Sequence, residues 1–235
     1  ELDAYDVDSH IDLSSTFWNN CAIYQWGGKI EFAPTEQSAI AFQFATSPFG
    51  ERPFKSKLFT YSLYWSGEYG CFSPIWSANF MEYERGRFIS ILSLGNRFDI
   101  GNFAIELDYM NRASSTKRFF DQEMTLVGKL IYNLGDKAEF FIKGGYEYCH
   151  GADGDMFGYG DEWEMGDGIV PTGIVRNKDY VFYGGGLHFY PLRNSRDLRL
   201  HAVVCANNYS NHVALTVGAT YFFNLTDTIL RHRKR

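Results

Sequence analysis

Apolar and polar residues alternate with period two along most of this chain, which predicts half-buried strands rather than helices. The alternation recurs near 21–33, 38–47, 57–67, 72–83, 87–98, 102–111, 122–133, 137–149, 179–190, 197–207 and 211–223. These are about eleven segments, each long enough to cross a bilayer as a tilted strand. In 102–111, Phe103, Ile105, Leu107 and Tyr109 alternate with Ala104, Glu106, Asp108 and Met110. In 137–149, Phe140, Ile142, Tyr146 and Tyr148 alternate with Glu139, Lys143 and Glu147. Tyr24, Trp26, Ile30 and Phe32 likewise alternate with Gln25, Lys29 and Glu31, and Met124, Leu126, Leu130 and Tyr132 with Glu123, Thr125 and Lys129. The segments 72–83 and 87–98 alternate less cleanly, and their facing stays open.

The connections differ in length. APTEQS, DIGN, LGDK and PLRNSRD are short, whereas SPFGERPFKSK, NRASSTKRFFDQ and the stretch 150–178 are longer or more irregular. Short turns at one end and long loops at the other are the pattern of a transmembrane β-barrel. Parity alone does not tell inside from outside, and a soluble lipocalin-like barrel would put the apolar side inside. Two features favour the membrane. Aromatics sit near the ends of the apolar faces, as in Tyr24 and Phe32, Phe103 and Tyr109, and Tyr221 and Phe223, where interfacial girdles stand. The segments also outnumber the eight strands of a lipocalin.

The expected fold is therefore all-β, an antiparallel transmembrane β-barrel in the bacterial outer membrane. Such barrels have an even number of strands with both termini periplasmic. Counting back from the last strand leaves the first starting outside the cell. Either 1–20 holds another strand or strands are missing at the N-terminal side. ELDAYDVDSHIDLSS is too acidic for a lipid-facing strand. The expectation is thus the C-terminal part of a larger barrel of about 16 strands. In it, 1–20 is an acidic extracellular or pre-strand segment, 21–223 carries the barrel strands and loops, and 224–235 is a polar, basic tail.

Composition agrees. Gly is frequent at 23 residues, Pro is scarce at 6 and aromatics make up 18% of the chain, which suits strands joined by tight turns. A net charge of −6 argues against a nucleic-acid partner, which calls for a basic footprint. No run of eighteen apolar residues exists, so no transmembrane helix is expected. The mean hydropathy of −0.27 is compatible with a membrane barrel, in which only every second residue need be apolar. The chain begins at Glu1 without Met or signal peptide, as a processed protein or a piece of a longer one. Cys21, Cys71, Cys149 and Cys205 show no zinc spacing, and neither disulfides nor unpaired thiols are excluded.

The closing strand carries Gly218, Tyr221 and Phe223 as G-x-x-aromatic-x-aromatic. This resembles the C-terminal signal that outer-membrane barrels present to the barrel-assembly machinery. The signal usually ends a protein, whereas NLTDTILRHRKR follows here. A wider resemblance rests on WGGKIEFAPTEQSAIAFQFATSPF, FTYSLYWSGEYG, FAIELDYMNRAS, YVFYGGGLHFYPL and DLRLHAVVCANN. These look like the C-terminal part of Gram-negative porins of the phosphate-selective O and P type. The resemblance implies an outer-membrane channel for small hydrophilic solutes, trimeric or monomeric, surrounded by outer-membrane lipid. It does not by itself imply phosphate as the solute.

The charges expected to line a pore are Lys29, Glu31, Arg97, Glu106, Asp108, Glu123, Lys129, Glu139, Lys143, Glu147 and Arg199. Rings of such charges set ion selectivity; the plainer reading is a set of salt bridges that satisfy one another. Acid slightly outnumbers base, whereas a phosphate channel calls for a basic ladder. DGDMFGYGDEWE partly matches a calcium loop through Asp153, Asp155, Gly158, Asp161 and Glu164. Phe157 takes a position where an oxygen ligand is wanted. Loosely bound calcium is thus the one cofactor expectation, against the plainer reading of an acidic surface loop. Catalysis has little support. Ser210 and His212 lie close in sequence, but no GxSxG or HExxH occurs, and His10, His150, His188 and His201 are scattered. Gly184, Gly185 and Gly186 precede no helix, so they suit sharp curvature or a side chain packed over bare backbone rather than a phosphate cradle. The leading reading is a passive porin rather than an enzyme, its pore narrowed by a loop such as 150–178. The alternatives are a non-conducting barrel that docks partners through its long loops, and a soluble β protein.

Overall fold

The computed structural model describes residues 26–47, 57–113, 123–149, 179–192, 195–208 and 213–221. They form one antiparallel sheet of eleven strands in chain order. The strands are β1 (Gly27–Thr35), β2 (Ser38–Thr46), β3 (Phe59–Gly67), β4 (Phe72–Glu84), β5 (Arg87–Ile100) and β6 (Phe103–Ala113), followed by β7 (Glu123–Leu134), β8 (Ala138–Cys149), β9 (Tyr180–Phe189), β10 (Leu198–Asn207) and β11 (Ala214–Tyr221). Each pairs with the next, and no helix occurs among the described residues.

Each segment predicted from alternation contains a strand, with ends shifted by a few residues where they are described; the outer ends of the first and last segments, 21–25 and 222–223, lie outside the described residues. The two ends of the sheet differ. At the turn end, β1–β2, β3–β4, β5–β6, β7–β8 and β9–β10 are joined by short connections. Gly101 closes the β5–β6 hairpin at φ 62°, a left-handed backbone that costs glycine little. At the loop end, β4 and β5 are an exception. Only Arg85 and Gly86 separate them, where the other connections at this end are longer. Gly86 adopts φ 77°, and the Glu82 carboxylate accepts hydrogen bonds from the main-chain amides of Gly86 and Phe59. One carboxylate thereby stitches this hairpin to β3.

The same two strands explain the unclear facing of 72–83 and 87–98. Pro74 breaks the alternation of β4 but stands one step past the last β3–β4 pair, Ser66 with Ile75. Its missing N–H therefore costs no bond to β3. Ile89 and Ile91 bring apolar side chains to the polar face, where they form a buried cluster with Met81 and Met110.

Burial sorts the two faces of the sheet. Lys143 is 3% exposed and Glu147 1%, while outward neighbours Ile142 and Leu107 are 62% and 49% exposed. A water-soluble sheet does the reverse, because burying charge costs free energy and burying hydrocarbon releases it. Here the charged side is enclosed and the apolar side faces out. We call these the inner and outer faces.

The outer aromatics gather near both strand ends. Phe44, Phe59, Tyr61 and Phe88 associate at the loop end, with Phe44 and Phe59 stacked at 5.0 Å. Trp65 and Trp76 (4.8 Å), Phe72 and Phe98 (5.0 Å), and Phe103 and Tyr132 (4.8 Å) pair at the turn end. Leu63, Leu107, Leu126, Leu130 and Ile142 occupy the band between, all exposed.

The inner face also holds an apolar cluster of Ala104, Val127, Ile131, Phe141, Phe182, Val203 and Cys205. Bare backbone makes room for its rings. A Cβ on Gly145 would collide with the Phe182 ring, and one on Gly186 would lie 2.8 Å from the Phe141 ring. The glycine run of β9 thus lets a neighbouring ring lie flat on the strand. We expect Gly145→Ala to destabilise the sheet, because the ring of fully buried Phe182 must move, and Phe182→Ala to cost about 3 kcal/mol through lost burial and a cavity. Reversible denaturant unfolding of the refolded protein checks both.

Candidate functional site

Strand register brings the central charges of the inner face into one row. Arg97 of β5 pairs with Glu106 of β6, Glu106 with Lys129 of β7, and Lys129 with Lys143 of β8. The Arg97 Nη1 donates to Glu106 Oε1 at 2.6 Å, and its Nε and Nη2 hold Asp99 on the same strand. Lys129 Nζ stands 3.8 Å from Glu106 Oε2 and 5.2 Å from the centre of the Phe141 ring. Glu106 is therefore shared by two cations, and the buried part of the row is held by charge-assisted contacts.

A second group lies toward the turn end. Glu139 Oε1 is 3.2 Å from His188 Nδ1, and Glu139 Oε2 is 3.7 Å from Arg196 Nη1. The Arg196 guanidinium lies over the Tyr190 ring at 4.8 Å. Tyr190, one residue past β9, is buried, and burial raises its phenol above the ordinary range, with the nearby Glu139 charge adding to the effect. Arg199 hydrogen-bonds the phenol and offsets part of that rise. His188 pairs directly with His201 across the β9–β10 register, and the His201 ring covers Gly218, where a Cβ would lie 2.6 Å from Nε2.

The remaining candidates are distributed. Lys29 and Glu31 pair with each other at 2.6 Å on β1, half exposed. Asp108 and Glu147 are buried on the inner face nearer the loop end. Glu123 stands opposite Arg112 in the register. Gly218 faces inward, and Tyr221 is exposed at the end of β11. Phe223, Ser210, His212 and the candidate calcium loop with Asp153, Asp155, Asp161 and Glu164 lie outside the described residues. Cys71 is an exposed free thiol in the β3–β4 connection. Sequence reasoning passed over Arg196, Tyr190 and the meeting of His188 with His201. Their parity was visible, but the register that sets His201 opposite His188 depends on how the connection between β9 and β10 folds back.

No protein-family model matches the chain, and a search of curated proteins finds no match. Solved structures do. The chain is similar to a porin refined at 1.8 Å resolution, with a TM-score of 0.56 at 8% identity, over 85% of this chain. It spans 62% of that porin chain. It is also similar to the KdgM porin, alone (TM-score 0.42) and in complex with disordered oligogalacturonate (TM-score 0.41). Both KdgM comparisons give 11% identity and cover 86% of this chain and 95% of the other. The chain thus has the all-β, antiparallel fold of a porin-type barrel.

Glu106 is the contact most exposed to test. Glu106→Gln removes the carboxylate charge that both Arg97 and buried Lys129 contact, and loss of one member of a largely buried ionic group costs about 3 kcal/mol. We expect that loss in denaturant unfolding, and a smaller loss for Glu31→Gln, whose Lys29 partner is half exposed.

Proposed function

We propose that this chain forms the wall of an outer-membrane channel through which small hydrophilic solutes and ions diffuse passively. The observation that carries this reading is the inverted sheet, with exposed hydrocarbon bounded by aromatics on one face and enclosed charge on the other. A membrane barrel needs that arrangement, because its outer face meets lipid and its inner face meets water. The likeness to a porin supports the fold beneath the proposal. Outer-membrane lipid, the barrel-assembly machinery that reads the closing strand, and a trimeric assembly belong to the same reading.

The resemblance to phosphate-selective porins does not by itself make the solute an anion, and the inner row favours weak selection. Arg97, Lys129 and Lys143 are interleaved with Glu106 and Asp99, and Arg199 shares its end of the sheet with Glu139. Mixed rings of this kind discriminate less than a basic ladder. A second reading has its own support. Lys143, Glu147, Phe182 and His188 are almost wholly buried on the inner face, as they would be in a closed barrel that serves as a docking subunit.

Single-channel recording of the refolded protein in a planar bilayer separates the two. Stable open steps are expected for the channel, and silence from protein shown to be inserted would leave the docking barrel. If the pore conducts, Lys129→Gln with Lys143→Gln is expected to move the reversal potential in a salt gradient toward cations, and Glu106→Gln toward anions.

A further inference from the structure

The inner face is not uniform around the sheet. Apart from Lys29 and Glu31 on edge strand β1, its charged side chains stand on β5 to β10, in the row from Arg97 to Lys143 and in the group around Glu139. Behind that row Gly128 and Gly144, cross-strand partners, turn bare backbone to the outer face. The inward positions from Ala39 to Ala45 on β2, Thr60 to Ser66 on β3 and Ser73 to Met81 on β4 hold no charged residue.

Hydroxyls and amides take the place of charge there, and register sets them in two rows. Gln43, Ser62 and Asn79 form one row, across β2, β3 and β4. Tyr64, Ser77 and Ser93 form the other, across β3, β4 and β5. Strand geometry puts neighbours in a row roughly 5 Å apart and the two rows roughly 7 Å apart. All of these but Ser62 are partly exposed on this face.

Asn79 ties the rows together. Its Oδ1 accepts from the Tyr64 hydroxyl at 3.3 Å, and its Nδ2 donates to Ser77 Oγ at 3.2 Å. The two bonds fix which way the amide points and leave it one N–H and one acceptor site. The Gln43 amide and the Ser62 and Ser93 hydroxyls make no side-chain hydrogen bond among the described residues. Ser62 is buried, and so is Thr60, the next inward residue of β3, whose hydroxyl has no partner. Buried polar groups are ordinarily paired, so this wall carries hydrogen-bonding capacity that the fold itself does not use.

We propose that this neutral wall is a weak binding site for uncharged polyhydroxylated solutes, sugars or polyols, passing through the lumen. The inference rests on the channel reading and names its solute class. Hydroxyl and carboxamide groups both donate and accept, so they match a solute whose hydroxyls do the same in many orientations. An ion gives up water for isolated dipoles here, which costs free energy. The charged side offers an anion little more, because Arg97 and Lys129 share Glu106 and Arg196 stands beside Glu139. Binding stays weak, since a solute that conducts has to leave.

Planar-bilayer recording of the refolded protein supplies the test, with mannitol as the probe and a short polyethylene glycol of matched size as the control. The glycol fills the same volume but chiefly accepts hydrogen bonds. Mannitol is expected to reduce the open current along a saturating curve, and the glycol in simple proportion to its concentration. Asn79→Leu keeps the side-chain volume, removes the amide and should weaken the saturation about fivefold, the worth of roughly one hydrogen bond. Ser77→Ala with Ser93→Ala strips the second row, should weaken it similarly and stands in if Asn79→Leu does not fold. Equal, unsaturated effects of the two solutes overturn the site while the open steps keep the channel reading intact. Saturation that persists unchanged in the folded variants overturns it too, as does saturation by gluconate at lower concentration than mannitol, which assigns the preference to the charged side. Silence from protein shown to be inserted overturns the channel reading beneath it.

Discussion

Main-chain hydrogen bonding is the constraint on which this structure depends. In the proposed membrane setting, a sheet that turns hydrocarbon outward has no solvent on that side to satisfy a stray amide or carbonyl. Each strand must therefore find its donors and acceptors in the strands beside it, in register and over its whole length. The chain-order pairing of β1 to β11 answers that demand with the simplest topology available. Nearest-neighbour hairpins need few residues to connect, and the turn end uses them throughout. Once the ladder is set, side-chain direction follows, because successive residues point to opposite faces. The enclosed row from Arg97 to Lys143 and the exposed band from Leu107 to Ile142 are two consequences of one register.

The inner face then meets a second demand. Charged groups removed from solvent must hold one another, and the contacts around Glu106 and Glu139 do so with unequal geometry. Arg97 binds Glu106 at 2.6 Å while Lys129 stands at 3.8 Å, so Glu106 is held more tightly on its Arg97 side. Phe141 and Phe182 fill space between charged levels by lying over glycine backbone. The face thus combines ionic and apolar packing within a few strands, unlike a uniformly wet surface.

Much of this was legible in sequence because period two is a direct consequence of strand geometry. The parity of Phe103 to Met110 or of Phe140 to Glu147 separates the two faces without any tertiary information, and burial then tells which is enclosed. The glycine run of β9 could be read as a place for a side chain to lie on bare backbone, although its partner Phe141 could not be named. Legibility failed where register or local irregularity decides. The meeting of His188 with His201, and the joining of Arg196 to Glu139, depend on how a connection folds back. Pro74, Ile89 and Ile91 blurred the alternation of β4 and β5, and the tight Arg85–Gly86 hairpin broke the expected contrast between the two ends. The glycine pair at 128 and 144 lies sixteen residues apart in sequence and becomes a single feature only through cross-strand pairing.

The same pair has an electrical consequence. Gly128 and Gly144 are followed and preceded by Lys129 and Lys143, which are also cross-strand partners but point the other way. At this spot two adjacent cationic side chains are divided from the outer surface by one layer of peptide backbone, with no side chain behind it. At the neighbouring outward positions Leu126, Leu130, Ile142 and Tyr146 thicken the insulation. The wall is thin beside two adjacent inner positive charges. In the proposed channel, the charge of these two lysines therefore faces the outer medium across main chain alone, which ties the electrostatics of the inner face to what lies on the far side of the sheet.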